Sequence, residues 1–163
     1  MVTTQTTTSA AYVSQPTPKS GMRYTRAYAT PDGESHFEDV DVAMPPVEVV
    51  PGEPPLYMAE TIRAVGIRPL RMPADWDAGW HPAPRRWFAI ALAGEIEVQT
   101  SDGELRRFGP GSMWLMEDTT GKGHHSRVVG RGDWLGIMVP LTDAPDAPHR
   151  TLEQVWAEVH AFQ

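Results

Sequence analysis

The chain is predicted to fold as one all-β barrel domain with a short C-terminal α-helix. Three observations carry that prediction. Glycine and proline, 14 and 16 in 163 residues, punctuate the sequence at short intervals, as turns between strands require. The segments between them alternate apolar and polar side chains, the period of a half-buried strand. Only one segment, near the end, has helical spacing.

Residues 1–21 are rich in Thr, Ser, Ala and Gln and lack both a basic start and an apolar run. They are expected to be a disordered tail and not a signal peptide. Met22 to Ala29 alternates Met22, Tyr24 and Tyr28 with polar residues, Pro31-Asp32-Gly33 offers a turn, and Phe37, Val40, Val42 and Met44 follow. This predicts an N-terminal β-hairpin. Pro45 to Pro55 holds five prolines and is expected to be a loop or sheet edge, because proline gives a ladder no donor. Leu56 to Val65 reads as a strand, and Gly66 to Gly79 as a connection containing Pro and Trp.

The densest strand signal follows. Trp87 to Leu92 ends at Ala93-Gly94, and Glu95 to Gln99 alternates strictly, so two strands meet at Gly94. Asp102-Gly103 supplies the positive φ of a hairpin turn, from which Leu105 to Phe108 returns. After Gly109-Pro110-Gly111, the segments Met113–Met116, His125–Val129 and Trp134–Leu141 complete the barrel. Residues 22–141 thus form the expected barrel, and 142–163 a linker and helix. Thr151-Leu152-Glu153-Gln154 is a capping-box pattern, and Leu152, Val155, Trp156 and Val159 fall on one helical face. That helix is expected to cover a barrel edge or to act as a lid or dimer contact.

Composition narrows the function. Fourteen basic against 21 acidic residues give a net charge of −7, which repels phosphate backbones and anionic lipid, so neither nucleic acid nor a membrane is an expected partner. The absence of cysteine removes disulfides, thiolate nucleophiles and thiolate metal ligands, and fits a cytoplasmic protein. No apolar run approaches the roughly 20 residues of a membrane-spanning helix.

The run Gly79-Trp80-His81-Pro82-Ala83-Pro84-Arg85-Arg86-Trp87, the Asp102-Gly103 and Phe108-Gly109-Pro110-Gly111 turns, and Glu117-Asp118-Thr119-Thr120-Gly121-Lys122-Gly123-His124 resemble a small cupin. They are similar in particular to a group of bacterial single-domain cupins that carry the Trp-His...Pro-Arg-Arg and Glu-Asp-Thr-Thr-Gly-Lys-Gly-His elements. The resemblance spans roughly residues 22 to 141 and implies a cupin-type (jelly-roll) β-barrel. Cupins usually hold a metal with three His and one Glu. His81 and His124 match two of these ligands, whereas Ala83 stands in place of the second His and Trp87 in place of the Glu. An indole N–H cannot ligate, and even catalytic zinc generally keeps three protein ligands. No cofactor is expected. A metal reading, with iron or manganese on His81 and His124 and Glu60 or Glu117 recruited, stays open.

If Trp87 points inward as the family's Glu does, strand alternation sends Ala89 and Ala91 inward too and leaves room beside them. Val98, Ile96, Met113 or Trp114, Trp134 and Met138 would then line an apolar chamber with His81 and His124 as its polar groups, the usual make-up of a small-molecule site. The alternative is that these side chains only fill the barrel. His81, His124 and Glu117 are the candidate proton donors and acceptors, and Trp87 would orient a flat substrate. Arg85 is placed to bind a substrate carboxylate or enolate; the alternative for Arg85 and Arg86 is an ion pair with Glu117 or Asp118.

The leading expectation is a metal-independent cupin enzyme that cyclises, isomerises or eliminates from a small, largely apolar metabolite. Beside it stand a metal-dependent oxygenase or isomerase and a non-catalytic binding or sensing module. A homodimer is a further expectation, from the N-terminal hairpin and an open sheet edge.

Overall fold

A computed structural model describes residues 21–142. The expected N-terminal tail and C-terminal helix lie outside the described residues. Twelve strands run in chain order: β1 Met22–Ala29, β2 Ser35–Val42, β3 Pro46–Val47, β4 Leu56–Tyr57, β5 Arg68–Met72, β6 Asp77–His81, β7 Trp87–Ala93, β8 Glu95–Thr100, β9 Leu105–Phe108, β10 Met113–Glu117, β11 His124–Val129 and β12 Trp134–Pro140. They form a six-stranded sheet, β2-β1-β10-β7-β12-β5, facing a four-stranded one, β6-β11-β8-β9. A small β3-β4 ribbon stands apart. All pairs are antiparallel except β1 with β10.

The alternation read from the sequence sets which side chains meet between the sheets. Ala89 and Ala91 of β7, Ile96 and Val98 of β8, Trp114 and Met116 of β10 and Trp134 of β12 are buried in one core that also takes in Phe37 and Phe108. Their neighbours of opposite parity, Phe88 and Leu115, pack with Leu141 in a separate cluster on the other face of the larger sheet. A row of rings runs through the interior. Phe37 meets Phe108 edge-on, Phe108 stacks on Trp114 at 4.6 Å, and Trp114 meets Trp134 edge-on at 5.8 Å.

Gly94 is where the chain passes from the larger sheet to the smaller. Its φ is +72°, and a Cβ there would lie 2.3 Å from the Asp133 carbonyl oxygen, so this crossing requires glycine. The strands that meet at Gly94 thus belong to opposite sheets.

Two expectations are corrected. Residues 66–79 are not a connection alone, because they hold β5 and β6. Both are edge strands, where Pro69 forfeits no ladder bond and irregular patterning is tolerated. Conversely, Leu56 to Val65 is a strand only at Leu56–Tyr57, plus a bridge from Ala64 to Leu141. Leu56, Ile62 and Val65 are exposed, so the alternation there has no opposing sheet to bury it.

The two hairpin turns share one pattern, Thr-x-Asp-Gly-Glu, at 30–34 and 100–104. In each, the Thr N–H donates to the Glu carbonyl and the Gly N–H to the Thr carbonyl. The turns also lock together. The Ser35 N–H donates to Ser101 Oγ at 2.7 Å, and the Ser101 N–H to Ser35 Oγ at 2.8 Å.

Candidate functional site

A cavity of about 290 Å³ opens between the sheets, with Trp114 of the ring row in its wall. Trp87, Met138, Trp114, Ile96 and Val98 line it together with Met72 and Trp76, and the two histidines expected there, His81 and His124, form its polar part. The choice left open between Met113 and Trp114 falls to Trp114, since Met113 packs on the outer face.

His81 ends β6 and His124 begins β11, and the two are direct cross-strand partners. Their ring centroids are 4.7 Å apart. Gly123 makes this closeness attainable: its φ is +69°, and a Cβ would sit 2.1 Å from the His81 carbonyl oxygen. The loop leading to His124 is pinned from the N-terminal hairpin, because Ser35 Oγ donates to the Gly123 carbonyl at 2.6 Å and the Lys122 N–H to the Gly33 carbonyl at 2.9 Å.

The Nδ1 of His124 lies 2.6 Å from Oδ2 of Asp118 in a fully enclosed contact. The Nδ1 of His81 lies 3.0 Å from the Gly79 carbonyl, which can only accept, so that nitrogen bears the proton. Each imidazole is therefore oriented through Nδ1. Nε2, with no other partner among the described residues, is left as a lone pair in the neutral ring. His125 has the opposite parity: it faces outward and pairs with Asp77 at 2.7 Å.

These two histidines reach the inner wall of a two-sheet barrel from the two motifs that resembled a metal-binding pair. The two-sheet barrel resembles the cupin fold that the motifs implied. Solved structures similar to this chain include a cupin domain from Bordetella pertussis (12% identity over 51% of this chain and 91% of that one, TM-score 0.37). Another is the Cnp3 cupin domain of Schizosaccharomyces pombe (15% identity, 76% and 86% covered, TM-score 0.39). A third is the DMSP lyase DddQ of Ruegeria pomeroyi (23% identity, TM-score 0.41), where the match covers 59% of this chain and 45% of the lyase. Likenesses of this degree say nothing of substrate or activity. No protein-family profile matches the sequence, and no curated protein does.

Several candidates sit elsewhere than expected. Glu117 is not at the cavity. It follows Met116 on β10, so it points outward, where Arg26 and Arg86 hold its carboxylate, Arg86 Nε at 2.7 Å. Burial pushes the Glu117 carboxyl up, but the hydrogen bonds from Arg26 and Arg86 outweigh burial and hold it below its ordinary value. The inward carboxylate is its neighbour Asp118. The signal was parity: counting by two from Trp114 through Met116 reaches Asp118.

Ala89 and Ala91 face inward but do not line the cavity. The space beside them is taken by Trp134, whose ring lies over Gly136, the cross-strand partner of Ala91. Trp134 is thus a fully buried core residue and not a cavity wall. Arg85 and Arg86 part company. Arg86 is ion-paired with Glu117, whereas Arg85 lies 5.9 Å from the Trp87 ring centroid without an acidic partner among the described residues. Sequence reasoning missed five cavity residues in the segment read as a connection, Arg68, Leu70, Arg71, Met72 and Trp76, and also Pro84, Met116 and Ser126.

A metal would have two imidazoles here. The nearest carboxylate is engaged by His124 Nδ1, and Glu60 is exposed while Glu117 points away. No cluster of three or more His, Asp or Glu suited to a metal occurs among the described residues. The donor set does not fit a site that needs three protein ligands. What the arrangement can do is accept and donate protons in apolar surroundings.

Proposed function

We propose that this protein is a small-molecule cupin enzyme working without a resident metal, which isomerises, cyclises or eliminates from a largely apolar metabolite by proton transfer. The observation that carries this reading is the buried Asp118–His124 pair with His81 against it, facing an apolar cavity.

A neutral His124 takes a proton at Nε2, and the carboxylate on Nδ1 stabilises the imidazolium that results. His81, oriented by the Gly79 carbonyl, returns or delivers a proton on the same side of the cavity. Trp87 and Trp76 offer flat faces to an unsaturated substrate. The enclosing walls restrict its conformation, which favours ring closure as well.

The test is exchange in D2O. Small α-aryl ketones are incubated with the protein and the α-proton signal is followed by NMR. Exchange that disappears in His124→Ala and Asp118→Asn supports the reading. A ketone that binds but keeps its proton sinks it in favour of a binding module. The iron or manganese alternative rests on the same two Nε2 atoms; exchange abolished by chelation and restored by either metal would select it.

A further inference from the structure

We infer that the molecule taken by this cavity is a carboxylate, its acid group held by Arg68 at the mouth with Arg85 in support and its apolar body lying across Trp87 toward the histidines. The inference rests on the small-molecule reading above and names the substrate class.

Charge distribution motivates it. The chain carries a net charge of −7, and its described cations are mostly paired. Arg23, Arg26, Arg71, Arg86, Arg106, Arg107, Arg127 and Lys122 each have a carboxylate within ion-pair distance. Arg68 and Arg85 have none among the described residues, although acidic side chains outnumber basic ones. Arg131, in the exposed turn after β11, is not among the residues that line the cavity. Arg68 and Arg85 instead share one ring: Arg68 lies 5.5 Å and Arg85 5.9 Å from the centroid of Trp87.

Two features make this a site and not a chance surface charge. Arg68 itself lines the cavity, as do the neighbouring Leu70, Met72, Trp76 and Trp87, so its guanidinium borders a largely apolar space where a charge-assisted hydrogen bond is strong. Arg85 Nε is buried and has no hydrogen-bond partner. A buried donor left without an acceptor is costly, and such groups are ordinarily satisfied. The aromatic face holds both guanidiniums, whose planar forks match a carboxylate. A second arginine of the lining, Arg71, is occupied by Asp133 at 2.6 Å, which leaves Arg68 as the one lining guanidinium without a carboxylate partner among the described residues and favours a monoanion over a phosphate.

The experiment uses the full chain and three probes of one shape: 2-naphthoate, 2-naphthalenemethanol and 2-naphthyl phosphate, titrated calorimetrically. The acid is expected to bind at least about tenfold tighter than the alcohol, the worth of one hydrogen bond to a charged group, and tighter than the phosphate. Arg68→Gln should remove that advantage while leaving the alcohol's affinity unchanged, and Arg85→Gln should shrink it. Equal affinities of acid and alcohol, an acid that does not bind, or an advantage that survives in the Arg68→Gln/Arg85→Gln double variant would overturn the inference. A phosphate that binds tighter than the acid overturns the carboxylate assignment. Failure of the proton-transfer reading is distinguishable, since proton exchange would then be absent while the tenfold preference and its dependence on Arg68 remain.

Discussion

Asp118 Oδ2 lies 2.6 Å from Nδ1 of His124, and neither side chain is more than 4% exposed. The carboxylate accepts one hydrogen bond and so decides which imidazole nitrogen bears the proton. Asp118→Asn removes that preference because an amide can donate as well as accept. Turnover is expected to fall about 10²- to 10⁴-fold, the range of acid–base catalysis by a positioned side chain, because Asp118 orients the base His124. The ¹⁵N shifts of His124 check it independently of any substrate: Nδ1–H should predominate in the neutral ring and lose that predominance in the variant.

Gly123→Ala tests how the two histidines are brought together. At φ +69° the added Cβ would lie 2.1 Å from the His81 carbonyl oxygen, and that oxygen is backbone, so β6 or β11 must shift. A loss of about 2 kcal/mol or more is expected from the strained conformation and the overlap together, read as a lower urea midpoint. Ligand affinity should fall further than stability explains.

Gly136→Ala probes the packing around Trp134. The new Cβ would meet Trp134 Cη2 at 2.0 Å. Denaturant unfolding should show a cost of about 2–3 kcal/mol. Trp134→Phe removes the two indole contacts, though not the one with the Ile90 carbonyl oxygen at 2.6 Å, so the double variant is expected to lose less than the sum of the two single losses. Strict additivity would mean that the indole does not lie over this glycine.

Acid should destabilise the smaller sheet through Glu97. Burial raises its carboxyl, but hydrogen bonds from Arg127 and Arg107 outweigh burial and hold it below its ordinary 4.5. A depressed folded value means the unfolded chain takes up a proton first as pH falls. The stability Glu97 contributes is therefore complete above pH 4.5 and lost below it, toward its lowered folded value. Urea midpoints taken between pH 7 and 3 should fall through that window, and Glu97→Gln, less stable at pH 7, should flatten the fall.

Much of the fold was legible because strand alternation is local. Residues two apart share a face wherever the strand pairs, so once the resemblance turned Trp87 inward, Ala89 and Ala91 followed before any partner was known, while the choice between Met113 and Trp114 stayed open. The hairpins at Asp32-Gly33 and Asp102-Gly103 were legible for the same reason: a turn depends on its own few residues. The same parity would have put Glu117 outside and Asp118 inside.

The sequence by itself thus determined the all-β class of the barrel and its turns, and through the resemblance it raised the expectation that His81 and His124 face inward. Only the tertiary structure decided which strands are neighbours, that β5 and β6 exist as edges, that Trp134 fills the space its small neighbours leave, and that Arg68 borders the cavity while Arg86 is spent on Glu117. The division has one physical cause. Face and turn follow from a residue's own backbone geometry, whereas partners depend on contacts between segments far apart in the chain, such as Ser35 with Gly123, which no local pattern encodes.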